Sequence, residues 1–265
     1  MAKLPEITKF DPELTEKVMG ILRPLLKVYH RSEVRGLENI PLGGALVVSN
    51  HSGGMLPMDV PIFTSHFYDK FGYDRPVYTL SHAMLMVGPT ADFFKKTGYI
   101  LASHENADEA LRSGGLVVVF PGGDYDVYRP STDANKIDFD GRKGYVKAAI
   151  NAGVPIVPMV GIGGQETQLF LTRGETIAKA HGPIARAARA NVVPLSIGLP
   201  FGLSAVLPLN LPLPSKIVMQ VLPPIDIHAE FGEEPDIDAV DARVRKVMQD
   251  ALDELAEERR FPVLG

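Results

Sequence analysis

The chain has 265 residues, 45% of them hydrophobic, and a formal net charge of −5. That is the make-up of a globular protein able to bury a sizeable core, and it argues against a nucleic-acid partner. There is no cysteine, which excludes disulfides, thiolate metal sites and a cysteine nucleophile and fits a reducing compartment.

One domain over 1–265 is the expectation at this length. The opening "MAKLPEITKFDPELTEK" is polar and lacks the apolar segment of a signal peptide. Next, Val18, Ile21, Leu22, Leu25 and Leu26 recur at helical spacing, with Lys17, Arg23, Lys27 and Arg31 on the flanks. The spacing predicts an amphipathic helix over 12–31, turned toward the core or toward a membrane. "GGALVVSN" is a short apolar run bounded by glycines, the pattern of a buried strand. It runs straight into His51.

Beyond Asp59, helical and strand patterns alternate. "VPIFTSHFYDKFG", "DFFKKTG" and "ENADEALRSGG" read as helices; "PVYTLSH", "YILAS" and "LVVVFPGG" read as strands. "GRKGYVKAAINAG" is a helix with Gly153 just past its end, and "VPIVPMVGIGG" is another strand. This order predicts an α/β domain, a mostly parallel central sheet flanked by helices on both faces.

Asn191–Ser215 contains no charged residue and is long enough to span a bilayer. Pro194, Pro200, Pro208, Pro212 and Pro214 argue against one continuous helix, so apolar loops and short turns are expected. The stretch before it carries Arg173, Lys179, Arg186 and Arg189. Cations beside an apolar surface suit a peripheral or monotopic membrane contact; the wall of a substrate pocket is the alternative. "KIVMQVLPPIDI" is a late strand. A charged amphipathic helix is expected over 234–260, packed on the domain or on a partner. The oligomeric state cannot be read.

Two constellations carry chemistry. A buried strand ending in His51 puts the imidazole at the carboxyl edge of a parallel sheet, where open α/β folds bind ligands. Ser52, Gly53 and Gly54 follow, allowing close approach of a substrate. Asp59, folded back, would hold one imidazole nitrogen and leave the other as a general base. His51 and Asp59 are therefore the candidate catalytic pair, although a structural His near an Asp fits the spacing too. Few other ligands lie near for a metal. In "VVVFPGGDYDVYRP", Gly122 and Gly123 would present backbone N–H groups to an anion or oxyanion. Asp126, Arg129, Arg142 and Lys143 follow as candidate substrate-binding residues, the arginines suited to phosphate.

Taken in order, these pieces resemble the glycerolipid acyltransferase superfamily. That family has an H-x4-D pair after one strand, an F-P-E-G-type block after a later one, and a V-P-I-V-P strand beyond. The closer likeness is to the branch of type 2 diacylglycerol acyltransferases and plant phytyl ester synthases, carried by "LRSGGLVVVFPGG" and "GRKGYVKAAINAGVPIVPMVGIG". It extends from about Leu37 to Ile227. The resemblance implies a membrane-associated O-acyltransferase with His51 as base, Asp59 as its orienting partner, and a lipid hydroxyl as acceptor. It implies acyl-CoA or acyl carrier protein as donor and no separate cofactor, with the Pro-Gly-Gly block, Arg142 and Lys143 near substrate phosphates. A non-catalytic lipid-binding protein and a thioesterase or esterase are the competing readings. The chain departs from the family pattern in three ways. Seven residues separate His51 from Asp59, Asp126 stands at the Glu of P-G-G-x-x-E, and the arginine of E-G-T-R is missing.

Overall fold

The computed structural model describes residues 6–54, 56–174, 193–205, 208, 210–261 and 263–264. In chain order, helix α1 (Pro12–Tyr29) is followed by strands β1 (Glu33–Arg35) and β2 (Ala45–Ser49), helix α2 (Asp59–Phe71) and strand β3 (Val77–Ser81). Helix α3 (Ala91–Lys96), strand β4 (Tyr99–Leu101), helix α4 (His104–Arg112) and strand β5 (Leu116–Val119) come next. The short helix α5 (Gly123–Val127), helix α6 (Gly144–Ala152) and strand β6 (Ile156–Ile162) complete the centre of the chain. Three short strands follow, β7 (Leu169–Thr172), β8 (Leu195–Gly198) and β9 (Gly202–Ala205), then β10 (Val218–Val221), α7 (Ile227–Phe231) and α8 (Ile237–Glu258).

The main sheet runs β1-β10-β6-β2-β5-β3-β4. Strands β6, β2, β5, β3 and β4 are mutually parallel, while β10 enters antiparallel to β6. The sheet is thus mostly parallel, as the alternating pattern predicts. Every residue of β2 is buried, because both faces are covered. Leu46 and Val48 point into the cluster formed with α4, α6 and α8; Ala45 and Val47 point into the one formed with α1 and α2. This is the period of two expected of a strand. In α8, Val240, Val244, Met248, Leu252 and Leu255 make the buried stripe, each aliphatic side chain contributing about 1.5–3 kcal/mol by leaving water.

The helix ends are specified locally. Asp11 caps α1 by accepting from the Leu14 N–H at 2.9 Å, and Ser103 caps α4 through the Asn106 N–H at 3.1 Å. Both terminal helices are shorter than the stretches expected from sequence, 12–31 and 234–260. On α1, Met19 and Leu26 are buried, whereas Ile21, Leu25 and Val28 form an exposed stripe four and three residues apart.

The charge-free stretch corrects the expectation of loops and turns: part of it forms a β-hairpin. Strands β7, β8 and β9 make a separate antiparallel sheet, with Leu169 opposite Ile197 and Ile197 opposite Leu203. In β8 and β9 the alternation is reversed relative to an ordinary half-buried sheet, while β7 turns Phe170 inward. Ser196 and Ser204 face inward and share hydrogen bonds with Gln168 and Asn210; Leu169, Ile197 and Leu203 face outward. Of the basic residues expected to flank this stretch, Lys179, Arg186 and Arg189 lie outside the described residues. Arg173 stacks over the Tyr125 ring, 3.8 Å from its centre.

Candidate active site

Strand β2 lies at the middle of the sheet, and its carboxyl end is held laterally before the site begins. The Asn50 amide donates to the Gly161 carbonyl and accepts from the Gly161 N–H, both at 2.8 Å, fixing the turn against β6. The next residue is His51. Its ring stacks on Phe120 at the end of β5, with centres 4.1 Å apart and planes 16° from parallel.

Asp59 opens α2, where a carboxylate is favoured by the helix dipole. The seven-residue separation is absorbed by a loop that bulges outward: Gly54 takes a left-handed φ of +101° and Leu56 is exposed. The two side chains therefore meet. His51 Nδ1 lies 2.5 Å from Asp59 Oδ2, and the same carboxylate oxygen accepts the Ser52 N–H at 2.8 Å. Asp59 is fully buried, while the His51 side chain retains 15% exposure. With Nδ1 committed to the carboxylate, Nε2 is the ring nitrogen left for a reactant, and no hydrogen bond to it is present among the described residues.

The other sequence-predicted residues divide into three groups. Ser52, Gly53 and Gly54 line the loop, but they pack on the turn beyond β6 (Gly163–Thr167). Ser52 is buried, and a Cβ on Gly164 would sit 1.9 Å from the Ser52 Cβ. A side chain on Gly53 would strike Gln165 and Phe170. These glycines permit close packing of chain on chain.

In the Pro-Gly-Gly block, the Gly123 N–H is already bonded to the Phe120 carbonyl at 3.0 Å. Arg142 donates to the Gly122 carbonyl at 2.9 Å and to Asp124 at 3.1 Å, so it braces this turn. Arg142 is still partly exposed. Lys143 is turned away: its ammonium pairs with Asp238 at the start of α8, at 2.8 Å.

Asp126 and Arg129, expected to face substrate, are each 1% exposed and lie beneath the site. Asp126 Oδ2 accepts the His51 backbone N–H at 2.5 Å, and its Oδ1 is bound by the Arg129 guanidinium. Burial pushes the Asp126 carboxyl up; Arg129 and the His51 N–H draw it back toward the ionised form. Arg129 also donates to the Lys136 and Ala134 carbonyls at 2.9 and 3.0 Å.

Gln165 was not expected. Its amide donates to the carbonyls of His51 and Asp126, both at 3.3 Å. The readable signal was the Gly163-Gly164 pair ending β6, a close chain crossing beside the edge that carries His51.

Residues 31–161 match the acyltransferase family model. An uncharacterized protein of Mycobacterium leprae is 31% identical over 97% of this chain and 69% of its own length. An uncharacterized Mycobacterium tuberculosis protein is 35% identical over 179 residues, 65% of this chain; the chain spans about half, 49%, of that relative. The mouse "DGAT1/2-independent enzyme synthesizing storage lipids" is 32% identical over 132 residues, covering 50% of this chain and 39% of that protein. Among solved structures, the 1-acyl-sn-glycerophosphate (LPA) acyltransferase PlsC of Thermotoga maritima superposes with a TM-score of 0.53, covering 91% of this chain and 82% of that one at 19% identity. The architecture is therefore shared with that enzyme, the match to the family model spans the His51–Asp59 pair and the Pro-Gly-Gly block, and the chain belongs to the glycerolipid acyltransferase superfamily.

Proposed function

We propose that the protein is an O-acyltransferase that moves a fatty acyl group from an acyl thioester, acyl-CoA or acyl carrier protein, to a lipid hydroxyl. The observation that carries this reading is the His51–Asp59 contact, made despite the lengthened spacing. Asp59 fixes the imidazole so that Nε2 faces the reactants as a general base. Nε2 takes the proton of the acceptor hydroxyl, whose oxygen attacks the thioester carbonyl. As the C–O bond forms and the C–S bond breaks, the protonated imidazole returns its proton to the thiolate. The cycle leaves the ester, the free thiol and neutral His51, with no covalent enzyme intermediate and no separate cofactor.

A peripheral or monotopic contact with a membrane, on its cytoplasmic side, belongs to the same reading. It is supported by the small sheet, whose outward residues are leucine and isoleucine, and by the exposed α1 stripe. No helix among the described residues is long and apolar enough to cross a membrane.

The test is a panel of glycerolipid and lysophospholipid acceptors with labelled long-chain acyl-CoA. His51→Ala should lower transfer by about 10²–10⁴-fold, the usual worth of a general base, and Asp59→Asn should cost less. Transfer unchanged in His51→Ala would rule the mechanism out. Release of free fatty acid at the same rate with and without acceptor would identify a hydrolase instead. Lipid binding without turnover of any thioester would identify a binding protein.

A further inference from the structure

We infer that Asp126, Arg129 and Gln165 form a positioning clamp for His51, acting on its peptide groups and not on its ring. The inference rests on the general-base reading above. Three bonds converge on two consecutive peptides. Asp126 takes the His51 N–H at 2.5 Å, Gln165 holds the His51 carbonyl at 3.3 Å, and Asp59 takes the Ser52 N–H at 2.8 Å. Gln165 also reaches the Asp126 carbonyl, so the two arms of the clamp brace each other. Asp59 grips the ring of His51 and the backbone N–H of the next residue, Ser52. Imidazole and carboxylate are thereby fixed relative to the main chain from which the imidazole hangs.

Two features separate this arrangement from ordinary core packing. Neither Asp126 nor Arg129 can touch a substrate, since both are sealed from solvent. A buried ion pair is also a poor source of stability, because desolvation consumes most of its attraction. What the pair provides is a fixed carboxylate. Arg129 is anchored by the Ala134 and Lys136 carbonyls, and its guanidinium holds the Asp126 carboxyl group aimed at one N–H. Such a group acts through His51 and is a positioning residue.

The experiment compares the wild type with Asp126→Asn, Asp126→Glu and Gln165→Met, each as the full chain in its folded form. The readouts are kcat and KM with long-chain acyl-CoA, and the downfield Nδ1 proton resonance of His51 in ¹⁵N-histidine-labelled protein. Misplacement of a reacting group by about an ångström costs up to about 10²-fold. Asp126→Asn should therefore lose roughly ten- to a hundredfold in kcat with KM little changed. Its Nδ1 resonance should shift or broaden toward that of Asp59→Asn. Asp126→Glu, which keeps the carboxyl group, should recover part of the loss. A folded Asp126→Asn with wild-type kcat and an unmoved resonance overturns the clamp. If Asp126→Asn does not fold, Gln165→Met carries the same test, because it removes both amide bonds and leaves the ion pair intact.

His51→Ala in the same assay separates the two levels of inference. Full activity in His51→Ala defeats the general-base reading. Inactive His51→Ala beside fully active Asp126→Asn defeats only the clamp. The resonance reports on the clamp even if no acceptor is turned over.

Discussion

A histidine is useful or inert according to which of its atoms are exposed, and this chain holds both kinds. His51 keeps part of its ring accessible; His30 is buried, with Nδ1 3.2 Å from the Ser215 carbonyl and its own carbonyl bonded to the Ile217 N–H. Burial holds the His30 pKa below its ordinary value, with a contribution from Arg31, and the Ser215 carbonyl only partly offsets this. The sign follows from linkage. Between the depressed folded value and about 6.5, the unfolded chain binds more protons, so stability rises with pH across that window and falls on acidification below about 6.5. Thermal unfolding followed from about pH 7 to about pH 5 should show a falling midpoint. His30→Asn should flatten that fall, and an unaltered slope would mean other groups dominate. At this scale the sequence was informative about identity and poor about direction. It drew attention to Asp126 and Arg129 as charged residues after a glycine turn, but charge alone does not reveal which side of a turn a side chain takes. Both went inward, where each neutralises the other.

Among the elements, the loop from Ser52 to Met58 decides whether the family's pair can work with three extra residues. The extra length goes outward and the ends stay close, because the base of the loop is pinned by hydrogen bonds from His51 and Ser52 to the Asp59 carboxylate and backed by the turn after β6. That turn has no room to spare. In Gly164→Ala the new methyl would sit 1.9 Å from the Ser52 Cβ. We expect overpacking to cost about 1–3 kcal/mol in chemical denaturation, with a fall in activity as the Gln165 turn is pushed off His51. Wild-type stability would mean that the two turns can separate freely. The strands and helices around this loop were legible because long buried runs and capped helices have clear periods. The β7–β9 sheet was not. Its alternation is inverted in β8 and β9, its strands are four residues long, and its prolines argue for loops.

The described residues form a main sheet covered on both faces and a second, small sheet whose outward leucines and isoleucine are exposed. Leu199 and Leu203 are 64% and 65% exposed, more than packing into a core permits. If a bilayer covers this side, Leu199→Asp combined with Leu203→Asp should release the protein from anionic vesicles in a co-sedimentation assay. Turnover of a short-chain, detergent-dispersed substrate should persist, since neither residue is part of the dyad. Equal sedimentation of variant and wild type would place the contact elsewhere. The layered core was readable from pattern alone. The exposed side was only partly readable, because an apolar stretch looks the same whether protein or lipid covers it.

The residues that hold His51 come from the ends of three adjacent parallel strands, β2, β5 and β6. Parallel neighbours are necessarily distant in the chain: Asp126 follows His51 by 75 positions and Gln165 by 114. Bringing such partners together means closing long loops before any contact offsets the lost entropy. During synthesis, the histidine therefore leaves the ribosome more than a hundred residues ahead of the glutamine that holds its carbonyl. Over that interval the nascent chain carries its dyad without a backing. The backbone seat of His51 can be completed only once β6 has been made and lies beside β2.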